Sequence, residues 1–237
     1  LPDEPDATSC LRDGANLVIS AREPEKVRQA VDELQALGTE VWGIAADLGG
    51  ISEARRLVEE TLRLVPQLDI LINNAGMSTR GNFWDVTDRD WEYQTNVNFR
   101  SPFVLAQGMA KQMIEREIRG RIVNTSTIGA RACHTNGLVY NAAKGAVETM
   151  TRNMAYELAP YGITVNCVVP GAISVRPGSR HETGHVSPHV RHIPLDRFGH
   201  STDTAAVVRF FCRPESEFIT GESLLVSGGH DLYLPEF

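Results

Sequence analysis

The sequence predicts a doubly wound α/β fold, a parallel sheet with helices on both faces, and three observations carry that prediction. Short apolar runs alternate with amphipathic stretches of ten residues or more almost to the end of the chain. The apolar runs are continuous rather than alternating, as in strands covered on both sides. No internal repeat or low-complexity linker breaks the pattern, so residues 1–237 are expected to form a single domain.

The elements follow in order. Asn16 to Ala21 (NLVISA) reads as a buried strand, followed by a helix that opens near Pro24 and stops at Gly38. Glu40 to Ala45 is a second strand, and Ser52 to about Leu64 is a helix with Leu57, Val58, Thr61 and Leu62 on one face. Leu68 to Asn73 is a third strand. Thr87, with Asp90 three residues later, can cap a long helix running toward Arg119. Arg121 to Thr125 is a strand, Val139 to about Pro160 a helix, and Ile163 to Val169 a strand. Ser201 to Cys212 is helical and Ser223 to Val226 closes the sheet. Val175 to His200 is poorly periodic, with three prolines, three glycines and five histidines; it reads as a loop beside the strand ends, where substrate is held.

Composition excludes several classes. With 42% hydrophobic and 22% charged residues the chain can bury a core. Twenty-three basic against thirty acidic residues leave a net charge of -7, opposite to the basic excess of a nucleic-acid binder. Cys10, Cys133, Cys167 and Cys212 are too scattered for a disulfide framework and read as free thiols. No apolar stretch approaches the roughly 20 residues of a membrane span. No leader pattern is readable, so a cytoplasmic location is expected. Leu1 in place of Met reads as a start partway into a longer frame. His181 and His185 are four apart, but Gly184 and Pro188 break the helix such a metal pair would need; no metal is expected.

Chemistry concentrates at Tyr140 and Lys144, four apart on one helix face. A phenol has a pKa of about 10. A neighbouring ammonium favours phenolate and brings it toward working pH, where it can exchange protons. Upstream, Ser126 ends a strand in Asn124-Thr125-Ser126-Thr127-Ile128-Gly129, where a hydroxyl can polarise a carbonyl. Asn73-Asn74-Ala75-Gly76 ends another strand, Asn96 lies in the long helix, and Pro170-Gly171 closes the strand after the Tyr/Lys helix.

Together with Ile219-Thr220-Gly221-Glu222 and Gly228-Gly229, these motifs resemble the short-chain dehydrogenase/reductase family from about Asp13 to Leu232. The resemblance implies a Rossmann-like sheet and a catalytic set. Tyr140 would be the general acid/base, and Lys144 would lower its pKa and hold the nicotinamide ribose. Ser126 would bind the substrate oxygen, and Asn96 would hold a water in a proton relay. The family's usual offset from this hydroxyl to tyrosine is thirteen; Ser126 gives fourteen and Thr127 thirteen. Ile128-Gly129 favours Ser126 with one extra loop residue, and Thr127 is the alternative. The resemblance also implies cofactor contacts at Ser20, Arg22, Asp47, Leu48, Asn74, Ala75, Gly76, Tyr140, Lys144, Pro170, Gly171 and Ile173.

At the end of the first strand, NAD-using relatives place an acid for the ribose 2'-hydroxyl. This chain has Arg22, which suits a 2'-phosphate, so NADP(H) is favoured over NAD(H). The family's opening strand and Thr-Gly-x-x-x-Gly-x-Gly turn, whose backbone approaches the pyrophosphate, have no counterpart in residues 1–13. Val175 replaces a threonine that meets the nicotinamide. The first central strand is therefore expected to be missing or rebuilt, and cofactor binding weak or lost. The strands at 16–21 and 68–73 would then pair directly, splay, or borrow residues 7–12. Three readings stay open: an oxidoreductase interconverting a ketone and a secondary alcohol with NADP(H), a non-redox enzyme using the Tyr/Lys pair without nucleotide, and a cofactor-free binding or assembly subunit. The long helices at 88–119 and 139–160 are apolar on more than one side, and in relatives such helices make a homodimer or homotetramer.

Overall fold

A computed structural model of the chain describes residues 14–133, 135–174 and 192–232. The expected strands and helices are present: β1 (Leu17–Ala21), α1 (Pro24–Gln35), β2 (Val41–Ala45), α2 (Ile51–Leu64), β3 (Ile70–Asn73), α3 (Asp88–Thr95), α4 (Ser101–Glu115), β4 (Arg121–Thr125), α5 (Leu138–Leu158) and β5 (Thr164–Pro170). Short strands β6 (Ile173–Ser174) and β7 (Gly199–His200) follow, then α6 (Ser201–Cys212) and β8 (Ser223–Val226). The loop read at 175–200 is described only from residue 192, and there it carries β7.

Local chemistry sets the boundaries. Pro24 at the first position of α1 supplies a preset φ and lacks only a donor the helix would not use. Val27, Ala30 and Leu34 then recur on its buried side. Thr87 caps α3 as expected, its hydroxyl accepting from the Asp90 N–H at 3.1 Å. After α5, Gly162 takes a left-handed φ of 70° and turns the chain into β5.

All strand pairs are parallel, in two main groups: β1 with β2, and β3-β4-β5-β8. Side chains alternate across the larger sheet with the period of two that a strand imposes. Ile122 and Val165 pack with Met113, Ala110 and Ala155 of α4 and α5, whereas Val123 and Val168 pack with Val208 and Phe211 of α6. Helices thus cover both faces.

Among the described residues no backbone hydrogen bond joins β1 to β3, so direct pairing of these strands does not occur. Residues 7–12 lie outside the described segments. Among the described residues, Val18 of β1 and Leu71 of β3 both rest on the cluster of Ile44, Ala46, Leu48, Ala54, Leu57, Val97 and Leu105. The consequence is visible in burial. No residue of β1 is fully buried and only Asn73 of β3 is, whereas β5 is buried from Thr164 to Val169.

At the exit of β5 the chain passes close to β8. A Cβ added at Gly171 would lie 2.8 Å from the Ser227 Cα, a backbone atom that cannot swing aside. Gly171→Ala is expected to destabilise the protein by about 1–3 kcal/mol. This is read as a lower urea midpoint at constant slope; an unchanged midpoint would show a looser exit than the one described.

Candidate active site

Four consecutive residues leaving β4 each meet one stripe of α5. Asn124 donates its amide to Thr151 Oγ1 at 2.9 Å, while its own Oδ1 accepts from Asn73 Nδ2 at 2.9 Å. The Thr125 carbonyl accepts from Lys144 Nζ at 2.8 Å. Ser126 Oγ lies 2.9 Å from Glu148 Oε1 and 3.1 Å from the Lys144 carbonyl. Thr127 faces Tyr140, and its side chain favours ionisation of the phenol. Residues 140, 144, 148 and 151 recur at helical spacing and face the strand end together.

The structure places Ser126 and Thr127 in different surroundings. The Ser126 N–H still bonds the Val168 carbonyl at 2.8 Å, so the residue remains in the ladder and keeps the inward face of Asn124. Its hydroxyl is buried against Glu148, whose other oxygen takes the Arg131 guanidinium at 2.9 Å. Thr127 is the first residue beyond the ladder, and its hydroxyl stands beside Tyr140. The thirteen-residue offset therefore needs no extra loop residue.

Asn96 is also elsewhere. Its amide donates to the Gly49 carbonyl at 2.9 Å. Asn98, fully buried, instead accepts from the Met77 N–H at 3.0 Å and donates to the Met77 carbonyl at 2.7 Å. A Cβ at Gly76 would lie 3.4 Å from Asn98 Oδ1 and 3.5 Å from Lys144 Nζ, so these two side chains converge there. The cause is Pro102, which has no N–H to give the residue 98 carbonyl. The helix opens into a π turn over Asn96–Arg100, with the Ser101 N–H reaching five residues back to Asn96. Pro102 was the signal in the sequence that pointed past Asn96.

Burial shifts the two titrating groups. Lys144 is 2% exposed, and desolvation of its charged form lowers its pKa to about 8. Burial also holds the Tyr140 phenol above its ordinary value, offset in part by the Thr127 side chain. The expectation that Lys144 depresses Tyr140 is not met in the chain by itself: the amine lies 5.9 Å from the ring centroid and desolvation dominates.

The remaining expected contacts gather past the carboxyl ends of parallel strands, where sheets of this kind hold ligands. Ser20 and Arg22 are exposed at the end of β1 and Asp47 beyond β2. Asn74 accepts from Thr125 Oγ1 at 3.3 Å, and Ala75 and Gly76 are exposed. Pro170 ends β5, and Ile173 lies in β6 paired with Gly199. Leu48 is the exception. Its side chain is in the core cluster and only its carbonyl is engaged, by Ser101 Oγ at 2.7 Å.

A nicotinamide dinucleotide fits these residues at its two ends. Gly76 leaves the Lys144 amine uncovered by a Cβ, and among the described residues that amine, with up to three N–H donors, bonds the Thr125 carbonyl. Arg22 and Asp47 offer a cation and an acceptor at the other end. The segment where relatives carry the pyrophosphate turn, residues 1–13, lies outside the described residues, as do Val175, His181, His185 and His189. Among the described residues no group of three or more His, Cys, Asp or Glu could hold a metal ion, and no helix is long and apolar enough to cross a membrane. A cavity of about 460 Å³ opens beside the first turn of α5, lined by Arg80, Asn82, Asp85, Gln94, Asn136 and Val139.

The chain is similar to known proteins along nearly its whole length. The family model described as Enoyl-(Acyl carrier protein) reductase matches residues 6–231. The chain is 36% identical over 222 residues to the (2S)-[(R)-hydroxy(phenyl)methyl]succinyl-CoA dehydrogenase subunit BbsD of Thauera aromatica, covering 93% of this chain and 88% of the relative. It superposes on acetoin dehydrogenase from Enterobacter cloacae with a TM-score of 0.89 at 30% identity, over 98% of this chain and 92% of that one. It also superposes on a short chain dehydrogenase from Burkholderia cenocepacia in complex with NADP, with a TM-score of 0.86 at 31% identity, over 95% and 91%.

The lowered Lys144 value has a consequence for stability. Between pH 8 and 10.5 the unfolded chain holds a proton that folded Lys144 has released, so this group adds stability as pH rises through that window. Cys167, pushed up to about 12 by burial, and Tyr140 act in the opposite sense above their unfolded values of 9.0 and 10.0. The difference between wild type and Lys144→Met isolates the lysine. That difference is expected to change by about 3 kcal/mol across the window; a flat difference in urea unfolding would mean the amine is not desolvated.

Proposed function

Because the chain belongs to the short-chain dehydrogenase/reductase family, and is by that membership a nicotinamide-dependent oxidoreductase, we propose that it interconverts a ketone and a secondary alcohol with NADP(H), using Tyr140 as the proton donor and acceptor. The observation that carries the reading is the convergence of Tyr140, Thr127, Lys144 and Asn98 at the strand ends. When bound, the nicotinamide supplies a hydride to the carbonyl carbon or takes one from the carbinol carbon. Tyr140 gives its phenolic proton to the carbonyl oxygen in reduction and recovers it in oxidation. Thr127, beside Tyr140, orients the same oxygen. Lys144 holds the ribose hydroxyls, and its charge, strengthened on sharing them, offsets the phenolate that forms. Asn98 fixes the Met77 backbone and so the Gly76 approach.

Arg22 supports NADP(H) over NAD(H), since its guanidinium matches a 2'-phosphate. The polar cavity at Arg80, Asn82 and Asp85 suits a small substrate with hydrogen-bonding groups. Exposed Phe103 on α4 and Tyr156 on α5 support a homodimer or homotetramer through those helices, and the proposed location is the cytoplasm.

Titration with NADPH, followed by its fluorescence, is expected to saturate below millimolar concentration; no binding at millimolar cofactor would end the redox reading. Tyr140→Phe should abolish turnover and leave NADPH affinity within about twofold. Thr127→Val should cost at least about tenfold in turnover, whereas Ser126→Ala should chiefly lower stability, by about 1–3 kcal/mol for the unpaired Glu148 oxygen. Retained turnover in Thr127→Val with loss in Ser126→Ala would restore the serine to the site.

A further inference from the structure

The turn after β2 is gripped by three side chains of the α3–α4 helix pair. Ser101 holds the Leu48 carbonyl, Asn96 the Gly49 carbonyl, and Tyr93 the carboxylate of Asp47. The Tyr93 oxygen lies 2.9 and 3.1 Å from the two Asp47 oxygens, and it accepts from Arg22 Nη1 at 3.2 Å. Its ring lies over Gly49, where an added Cβ would overlap it. Asp47 Oδ1 takes a further N–H, from Gly49, at 3.0 Å. The other acid near Arg22 is Glu23, and it is paired with Lys26 at 2.7 Å. Among the described residues Arg22 therefore makes no ion pair, although two carboxylates stand close by.

We propose that Tyr93 determines cofactor specificity: interposed between Arg22 and Asp47, its hydroxyl keeps the two charges from pairing and so reserves the Arg22 guanidinium for the 2'-phosphate of a nucleotide. The proposal rests on the NADP(H) reading above and adds to it a residue from a helix that follows β3. A phenol suits the task because it satisfies both neighbours at once, donating to the carboxylate and accepting from the guanidinium, while carrying no charge of its own. Without it, Asp47 can swing onto Arg22, and a neutralised guanidinium gives a dianionic phosphate little advantage.

Calorimetric titration with adenosine 2',5'-bisphosphate and with adenosine 5'-monophosphate tests this without turnover. Wild type is expected to prefer the bisphosphate, and Arg22→Ala to lose that preference. Tyr93→Phe keeps the ring over Gly49 and should cut the preference by about fivefold. Adding Asp47→Asn to Tyr93→Phe removes the charge that would capture Arg22 and should restore it. An unchanged preference in Tyr93→Phe, or no recovery in the double variant, overturns the role of Tyr93 while leaving Arg22 intact. A wild type with no preference for the bisphosphate, or an Arg22→Ala that keeps it, overturns the NADP(H) reading and the proposal with it.

Discussion

The site depends on one register, that of the β4 exit against α5. Asn124, Thr125, Ser126 and Thr127 each take a partner on a single stripe of that helix, at Thr151, Lys144, Glu148 and Tyr140. Two of these bonds are buried and structural, and a third ties the Lys144 amine to the Thr125 carbonyl. The fourth contact sets a hydroxyl beside the phenol. Because side chains alternate along a strand, sliding by one residue would exchange the roles of Ser126 and Thr127 and strand the amides of Asn73 and Asn124. The catalytic geometry is in this sense a by-product of satisfying buried polar groups.

Pro102 acts as a second constraint. By denying one N–H to the helix ladder it opens the π turn, and the turn sends neighbouring residues in different directions. Asn98 goes toward Gly76 and Lys144, whereas Asn96 goes to the turn after β2. One irregular turn thus supports both ends of the proposed cofactor site, which lie on sheet segments that no backbone hydrogen bond joins among the described residues. Among the described residues, the apolar cluster around Ala54, Leu57 and Val97 packs against strands of both segments.

The strands were legible in the sequence because short continuous apolar runs between amphipathic stretches suit strands covered on both faces. Tyr140 and Lys144 were legible because helical spacing places them together without further information. Ser126 and Thr127 were not separable by type, since both carry hydroxyls. What separates them is that the β4 ladder runs one residue further, to the bond between the Ser126 N–H and Val168. Asn96 and Asn98 differ only through the π turn, and Leu48 only through which way the residue after Asp47 points. The Tyr140 phenol was expected low and is held high, because a neighbour's charge is read from spacing but desolvation requires the fold. Tyr93 carried no motif at all; its part comes from two loops and a helix meeting at its oxygen.

The most direct test follows the hydride itself. Incubating the protein with NADPH deuterated at the reactive ring carbon and a panel of small ketones, then weighing the alcohols by mass spectrometry, reports the transferred atom. At least one alcohol is expected to carry deuterium at its carbinol carbon, formed by wild type and absent with Tyr140→Phe. Labelled alcohol formed equally well by Tyr140→Phe, or saturating cofactor with no label transferred to any ketone, would contradict hydride transfer through this site.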